Sequence, residues 1–343
     1  MSTAHTNFSN HSIVISVMET FRYADPVDPL QEATKYFQRI AYPSLLLFGT
    51  VGNILSFLVM NLKANRSSVM CAYLKMLAVS DTLALVFCLL PRYIITSFPD
   101  LLQIGIIVDL QCVSIYVMTA IFFNVSLWQV LIVAIDRLIV VRFPFKAAMW
   151  CTMKRARLLM LLNIFFHLVI YFPNILRLSK LDEETGLRTK ACFLPDIFKW
   201  YSLGYVIINN TIDVVIPIVC LFILNVSIIL SLRKQSLDIK GATSESVARI
   251  KQERSMTIVL VVIVVFALVL LLPSTLHATL WRCCMDGIIA SHPAAEGLSL
   301  EIVFVLGLGN NAINFYLYLA SSSKFKNDVR HIFCCPLRKK LAG

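Results

Sequence analysis

The chain has few charged residues. Asp, Glu, Lys and Arg together make up 15% of its 343 residues, whereas typical soluble proteins contain about 25%. Hydrophobic residues make up 58% of the chain, and the mean hydropathy is +0.77. Such an excess of apolar residues needs an apolar solvent, so the composition favours a protein of the lipid bilayer over an ordinary soluble domain.

The sequence also lacks the signatures of several other protein classes. It has no visible inverted repeat, which is the usual mark of a transporter. Its ten cysteines are spread along the chain, with spacings that fit neither a small disulfide scaffold nor a zinc site. The first 39 residues have no sustained apolar core, so we expect no signal peptide and expect the first membrane helix to act as the insertion signal.

Seven apolar stretches are each long enough to supply the roughly 20 residues that cross a bilayer. Backbone polar groups find no water inside the bilayer, so each stretch is expected to be a helix. The sequence therefore predicts an all-α membrane protein built as a seven-transmembrane helix bundle. The predicted spans are Ile40–Leu62, Ala72–Ile95, Ile107–Val141, Leu158–Ile175, Ser202–Leu232, Ser255–Leu280 and Leu298–Ala320.

The net charge of +11 could indicate nucleic-acid binding, but its distribution indicates membrane topology instead. If the N-terminus is extracellular, 21 of the 31 Lys and Arg residues lie on the inner side. This is the positive-inside bias, and it predicts an extracellular tail over residues 1–39 and a membrane domain over residues 40–320. Asn7 and Asn10 begin glycosylation sequons in the extracellular tail.

The segment after the last span, residues 321–343, is predicted to be cytoplasmic. Between Ser321 and Cys335, apolar residues recur at helical spacing among basic ones, which predicts a short amphipathic eighth helix on the inner leaflet. Cys334 and Cys335 at its end are candidate palmitoylation sites.

Polar residues within membrane helices are costly and often functional. Asp81 and Asn53 lie in the middle of predicted spans, Ser126 lies about three turns above the inner end of the third span, and Asn310 and Asn314 share one face of the last span. These groups could converge around Asp81. A carboxylate with hydroxyl and amide oxygens suits a small hard cation such as sodium. The alternative is a hydrogen-bond network that packs the helices and holds no ion.

Arg137 lies at the inner end of the third span, between Asp136 and Leu138. It follows Cys112 by 25 residues (137 − 112), or about 37 Å of helix, which is close to the thickness of a bilayer with its headgroups. One helix thus presents a cysteine outside and an arginine inside. Glu253, at the start of the sixth span, could pair with Arg137. The alternative is that Arg137 is an ordinary positive-inside anchor.

Taken together, these features resemble the rhodopsin-like (class A) G-protein-coupled receptors over nearly the whole range from Ile40 to Cys335. The last span and the residues after it are most similar to invertebrate FMRFamide-receptor-like neuropeptide receptors. The motifs that carry the resemblance are Gly52-Asn53, Leu77-Ala-Val-Ser-Asp81, Cys112, Asp136-Arg137-Leu138 with Pro144, Pro217, Pro273, and Asn314-Phe315-Tyr316-Leu317-Tyr318 followed by Phe325.

The resemblance implies a plasma-membrane receptor that binds an extracellular ligand, expected to be a neuropeptide, and activates a heterotrimeric G protein. It implies an outer disulfide between Cys112 and Cys192. It also implies that Asp81, Ser126, Asn310 and Asn314 line an allosteric sodium pocket. Arrestin and membrane lipids are further partners that it suggests.

The resemblance also assigns roles at the inner end of the bundle. Arg137 would engage the G protein and would be restrained at rest by Asp136 and Glu253, while Tyr318 would move inward on activation. The residues expected on the G-protein surface or in the switch are Asp136, Arg137, Leu138, Pro144, Phe145, Glu253 and Tyr318.

Several family positions carry unusual residues, and these leave basal activity open. Leu138 stands where the family usually has tyrosine, and Phe315 stands where it has proline. Asn163 and Leu271 replace the tryptophans of the fourth and sixth spans, and Asn225 replaces the tyrosine of the fifth. The usual aromatic switch cannot therefore work here in its ordinary form.

The predicted ligand pocket lies in the outer halves of the helices. Thr119 stands where amine receptors carry aspartate, which argues against a monoamine, and the seventh span has no lysine that could bind retinal. Asp213 is an acid inside the fifth span, and it could pair with Arg92 or with a basic group on the ligand. The candidate ligand residues are Arg92, Tyr93, Tyr116, Thr119, Phe123, Asp213, His277 and Glu301.

The sequence fits two other protein classes less well. A transporter or channel could use the intramembrane acids as an ion path, but no repeat or row of charges supports one. An intramembrane enzyme is not expected, because no acid pair or metal-ligand set is positioned for catalysis. A receptor for a lipid or small molecule stays open as an alternative to the peptide receptor. Cys283 and Cys284 in the last outer loop have no assigned role.

Overall fold

The computed structural model describes residues 28–62, 64–65, 68–176, 178–181, 188–193, 211–212, 215–237, 257–273, 276–277 and 293–341. The predicted fold class is confirmed, because these residues form a bundle of membrane helices. Six of the described helices are long and apolar enough to cross a membrane, and a shorter apolar helix lies at the predicted sixth span. We number the helices α1 to α8. They are α1 Pro29–Met60, α2 Val69–Ser97, α3 Ile106–Arg142, α4 Met153–Tyr171, α5 Ile216–Leu237, α6 Thr257–Pro273, α7 Pro293–Ser321 and α8 Ser323–Leu341.

Helix α1 begins eleven residues before its predicted start at Ile40. Asp28 caps it, because the Asp28 carboxylate accepts a hydrogen bond from the backbone N–H of Leu30 at 2.9 Å, and Pro29 occupies the first helical position. Both residue types favour a helix start. The prediction placed the boundary by hydropathy alone, whereas the cap extends the helix beyond its apolar part.

Helix α3, whose candidate membrane span begins at Ile106, is α-helical over Gly105–Val113 and Ala120–Arg142, with a π-helical turn over Ser114–Thr119 between them. It runs from Cys112 near one end of the bundle to Arg137 near the other. We use these two residues to name the Cys112 end and the Arg137 end. A short helix, Pro144–Trp150, follows α3 at the Arg137 end.

Many of the large apolar side chains face outward from the bundle and are exposed. Leu47 and Phe165, for example, are 62% and 64% exposed. A soluble protein would rarely expose so much contiguous apolar surface, but a bilayer solvates it. Glycine permits a close helix approach at Gly49 of α1, which lies against Leu85 of α2 and Ala312 of α7.

At the Cys112 end, two short strands form an antiparallel hairpin. The strands are β1 Leu178–Leu181 and β2 Arg188–Phe193, and Ser179 pairs with Cys192. The hairpin was not predicted, because four- and six-residue strands in a polar loop have little sequence signal. Its second strand carries one of the two cysteines that the resemblance paired.

At the Arg137 end, α8 follows α7 almost without a break. The Ser322 hydroxyl accepts a hydrogen bond from the backbone N–H of Phe325 at 3.2 Å and so caps α8. Phe325 is 4% exposed and anchors α8 against the bundle. The helix extends to Leu341, six residues beyond its predicted end at Cys335.

Some predictions fall outside the described residues. They are the sequons at Asn7 and Asn10, the acids Asp213 and Glu253, and the pair Cys283 and Cys284. Cys334 and Cys335 lie on the backbone of α8, but their side chains are not described.

Candidate functional site

The centre of the bundle holds a buried carboxylate with three hydrogen-bond donors. Asp81 on α2 is fully buried. One of its oxygens accepts from the Ser126 hydroxyl at 2.5 Å and from the Asn311 amide at 2.7 Å, and the other accepts from the Asn314 amide at 2.8 Å. Asp81 therefore joins α2 to α3 and α7.

The network continues into α1. The Asn53 amide donates to the backbone carbonyl of Asn311 at 2.9 Å, and Asn53 is 1% exposed. Four helices thus meet at one set of polar groups. Buried hydrogen bonds of this kind specify which helix faces meet, because an unpaired polar group in the membrane is costly.

One of the three donors to Asp81 was not among the predicted residues. Asn310 is buried, but the donor from this part of α7 to Asp81 is its neighbour Asn311. At about 100° per residue, Asn310 and Asn311 lie on opposite sides of Asn314 on the helix surface. The prediction chose the i,i+4 pair, whereas the i,i+3 pair of Asn311 and Asn314 faces α2. The adjacent residues Asn310 and Asn311 place an amide on each of two faces of α7, so the sequence itself offered either residue as the partner of Asp81.

The site also has the oxygen atoms that a small cation requires. The amide oxygens of Asn53, Asn311 and Asn314 are buried and make no hydrogen bond within the described part of the chain. Rotation of either Asn311 or Asn314 would bring an oxygen towards Asp81. No basic side chain is among the hydrogen-bond partners found for Asp81, and a buried carboxylate without a cationic partner is a favourable ligand for a cation. The donor set therefore fits sodium.

At the Arg137 end, the guanidinium of Arg137 is held by its neighbour. Its Nη2 lies 2.5 Å and its Nε 3.2 Å from the same carboxylate oxygen of Asp136. The two side chains are 6% and 7% exposed, so the pair is shielded from water. A restraint of Arg137 by Asp136 would use this contact.

The residues around Arg137 divide into a packed set and an exposed set. Leu138 packs at the edge of the core, whereas Phe145, next to Pro144, is 96% exposed. The Cys151 thiol donates a long hydrogen bond, 3.8 Å, to the backbone carbonyl of Asp136. Burial, and after it the nearby Asp136 carboxylate, raise the pKa of the Cys151 thiol to about 12.

Tyr318 of α7 is 2% exposed and packs against Phe325 of α8, with 5.4 Å between their ring centroids. Phe315 also contacts Phe325, at 5.7 Å. Helix α7 runs unbroken from Pro293 to Ser321, because Phe315 occupies the position of the family proline and leaves the backbone N–H in place.

A polar cavity of about 280 Å³ opens at the Cys112 end. It is lined by Arg92 and Tyr116 from the predicted ligand set, and by Gln38, Tyr42, Gln111 and Cys192 among others. Cys192 is joined there to Cys112 by the expected disulfide, with a Cα–Cα distance of 5.6 Å.

The comparisons with known proteins agree with this arrangement. Residues 52–318 match the family described as 7 transmembrane receptor (rhodopsin family). The chain belongs to this family. Two similar proteins of Caenorhabditis elegans are described as a probable and a putative G-protein coupled receptor. They are 21% and 25% identical to this receptor, over 85% and 84% of its chain and 68% and 71% of their own lengths.

The family is one of receptors and not of enzymes. This chain is therefore a multi-pass membrane protein and a G-protein-coupled receptor, with an extracellular ligand and a G-protein partner. The transporter alternative gains no support from the comparisons.

The receptor's unusual family positions have their own contacts. The Asn163 amide donates to the backbone carbonyl of Val125 at 2.9 Å, so α4 is tied to α3 by a hydrogen bond where the family uses tryptophan packing. Leu271 is buried within the apolar core, at 3% exposure. Asn225 is 4% exposed, and neither of its amide atoms has a hydrogen-bond partner among the described residues.

The predicted ligand residues that the structure describes make several kinds of contact. Arg92 and Tyr116 share the polar cavity, and Glu301 of α7 accepts a hydrogen bond from Tyr42 at 2.6 Å at the edge of the same region. The Arg92 guanidinium also lies over the ring of Phe304, 4.5 Å from its centroid.

Four other members of that set have different surroundings. The Thr119 hydroxyl donates to the backbone of Ser114, and the His277 ring is hydrogen-bonded to Ser299 at 3.0 Å. Phe123 and Tyr93 pack against the apolar core. Sequence reasoning missed Gln38, Tyr42 and Gln111, because uncharged polar residues near a helix end are common and carry no specific signal.

Proposed function

We propose that this receptor resides in the plasma membrane, with its N-terminus and Cys112 end outside, and is activated by an extracellular peptide. The inner side would then carry the excess of basic residues, as the positive-inside rule requires. The disulfide between Cys112 and Cys192 would lie on the oxidising side of the membrane, where disulfides persist.

One observation favours a peptide over a lipid. Arg92 and Gln111 line the same polar cavity, and the Nε of Arg92 and the Oε1 of Gln111 are buried without a hydrogen-bond partner among the described residues. A buried donor or acceptor left unpaired costs about 1–3 kcal/mol. An amide group supplies an acceptor and a donor together, and a peptide carries one at every residue. A lipid tail supplies neither.

The second part of the proposal concerns the switch. At rest, Asp136 holds Arg137 through the Nε and Nη2 atoms of its guanidinium, which would limit contact between this guanidinium and a G protein. A peptide can change this only by binding the active arrangement more tightly than the resting one. Released Arg137, with Leu138, Pro144 and the exposed Phe145, would then form the surface that the G protein contacts.

The third part concerns sodium. We infer that the ion would be held by the Asp81 carboxylate, the Ser126 hydroxyl and the amide oxygens of Asn311 and Asn314, with Asn310 outside the set. It would supply the positive charge that this buried carboxylate lacks. Because these residues belong to three helices, cation binding would favour the arrangement in which α2, α3 and α7 are close.

Several finer assignments stay predictions. They are the FMRFamide-receptor-like specificity, the arrestin partner, glycosylation at Asn7 and Asn10, and palmitoylation at Cys334 and Cys335.

The peptide assignment is tested by G-protein activation in cells that express the receptor. The cells would be challenged separately with a peptide library and with lipid and small-molecule libraries. We expect a saturable response to a peptide. Responses to a lipid or a small molecule only, with the receptor present at the cell surface, would contradict the assignment.

The cavity gives a sharper second step, using the active peptide. Gln111→Leu removes the unpaired acceptor and should raise the EC50 by about tenfold. Gln38→Leu is the matched control, because Gln38 lines the same cavity but already accepts a hydrogen bond from Thr96 at 3.5 Å. Equal shifts in the two variants would show that the unpaired acceptor is not what the peptide uses.

A further inference from the structure

A second cavity lies on the outer surface of the bundle, among α1, α2 and α4 at the Arg137 end. Its volume is about 630 Å³. Its walls are mostly apolar, and Phe57 and Leu161 in these walls are 39% and 64% exposed. The groove is therefore open to the bilayer and separate from the polar core around Asp81. We call it the lipid-facing groove.

Two basic side chains line the lipid-facing groove. Lys75 belongs to the second turn of α2, and Arg157 belongs to the second turn of α4. Both are therefore close to the membrane surface at the Arg137 end. The Lys75 ammonium donates to the Asn61 side chain at 3.3 Å. No carboxylate is among the lining residues, and within the described part of the chain neither cation forms an ion pair.

This combination of charge and shape fits one class of molecule. Two cations without an anion at the mouth of an apolar groove would be neutralised by a phosphate-bearing headgroup. The groove continues from these cations past Met76, Val79 and Ile164 towards the level of Asp81, a path that suits an acyl chain. Cytoplasmic leaflets are rich in anionic phospholipids, and basic pockets between membrane helices bind their headgroups.

We propose that the lipid-facing groove binds one anionic phospholipid of the cytoplasmic leaflet. Lys75 and Arg157 hold its headgroup, and one acyl chain lies along the apolar wall formed by α1, α2 and α4. The proposal rests on the orientation proposed above, in which the Arg137 end is cytoplasmic. It does not depend on the nature of the activating ligand.

Native mass spectrometry of the full-length, delipidated receptor tests this directly. Bound lipid would be counted with phosphatidylserine and with phosphatidylcholine of identical acyl chains. We expect the wild type to retain one phosphatidylserine in preference to phosphatidylcholine. In the double variant Lys75→Gln/Arg157→Gln this selectivity should fall by about 30-fold, at roughly fivefold for each basic residue.

Two further variants separate this site from general surface charge. Lys75→Arg/Arg157→Lys keeps both charges and should keep the selectivity. Arg142→Gln/Lys146→Gln removes two charges from the same end of the bundle, where they lie over the ring of Phe143 and outside the groove. This control should also keep the selectivity.

Three results would overturn the proposal: equal binding of the two lipids by the wild type, unchanged selectivity in the Lys75→Gln/Arg157→Gln variant, or an equal loss in the control. Displacement of the lipid by soluble glycerophosphoserine at matched concentration would show that the site takes a free phosphate ester. The measurement uses no agonist, so an error in the peptide assignment does not affect it. An N-terminal epitope on intact cells reports the orientation independently.

Discussion

Substitution of Gly49 tests how tightly the bundle is packed around its polar core. A Cβ at this position would lie 2.4 Å from Cδ1 of Leu85, 2.9 Å from Cβ of Ala312 and 3.2 Å from the Ala312 backbone. Carbon atoms in contact are ordinarily 3.5–4.0 Å apart, so the closest overlap exceeds about 1 Å. Leu85 is fully buried, and the Ala312 backbone cannot rotate away. In Gly49→Ala, α1 must therefore shift relative to α2 or α7.

The shift would reach the functional network. Asn53 lies one helical turn after Gly49, and its amide donates to the backbone carbonyl of Asn311, the residue before Ala312. Overpacking of a core usually costs about 1–3 kcal/mol, and lengthening of this hydrogen bond adds to that cost. We expect Gly49→Ala to lower the free energy of unfolding by at least about 1 kcal/mol.

The matched control is Gly297→Ala on α7. A Cβ at Gly297 meets nothing within 4 Å, and replacing a helical glycine with alanine is worth about 0.5–1 kcal/mol. Gly297→Ala should therefore be neutral or stabilising. The assay is thermal unfolding of purified receptor, followed by exposure of its buried cysteines to a thiol-reactive dye. If Gly49→Ala melts at the same temperature as Gly297→Ala, the close approach of α1 to α2 and α7 is wrong.

Three further predictions concern the buried polar groups and a thiol. Asn311→Ala should destabilise the receptor by about 1.5–3 kcal/mol, since it removes a hydrogen bond to a carboxylate. Asn310→Ala should cost less stability in the same melting assay. The reverse order would favour Asn310 as the partner of Asp81. Sodium chloride should raise the melting temperature more than choline chloride does, and Asp81→Asn should abolish that difference; an equal response to both salts would argue against the ion. The Cys151 thiol, with a pKa of about 12, has a thiolate fraction at pH 7.5 roughly a thousandfold below that of an ordinary cysteine. Alkylation of the Cys151 thiol, followed by peptide mass spectrometry, should therefore be slow. Its rate should rise about tenfold per pH unit from pH 7 to 9 and should be higher in Asp136→Asn. A plateau of this rate below pH 9 would contradict the raised pKa.

The features that could be predicted from the sequence are those with a strong local signal. Long apolar stretches located the membrane helices, because the bilayer allows few alternatives to a helix. Asp81 stood out because a carboxylate inside an apolar stretch is rare. The disulfide followed from the family resemblance, and the structure forms it between Cys112 and Cys192.

The features that were missed depend on three-dimensional packing. The rotation of α7 about its axis decides whether Asn310 or Asn311 reaches Asp81 on α2. Neighbouring residues on a helix point about 100° apart. The polar cavity is lined by Gln38, Gln111 and Arg92, which come from three different helices and share no sequence pattern. The extension of α1 depends on a single capping residue, Asp28, which hydropathy does not detect.

Peptide binding at the outer cavity should reach the G protein through Arg137, and the most direct test is to measure binding and signalling of one peptide in the Arg137→Ala variant. The peptide would be labelled and its binding to intact cells recorded beside G-protein activation. Arg142→Ala is the control, since Arg142 is a basic residue at the same end of α3 that lies over Phe143, 5.8 Å from the ring centroid. We expect both variants to bind the peptide like the wild type, and signalling to be lost only in Arg137→Ala. Full signalling from Arg137→Ala at normal surface expression would contradict the assignment of Arg137 as the switch that couples the outer cavity to the G protein.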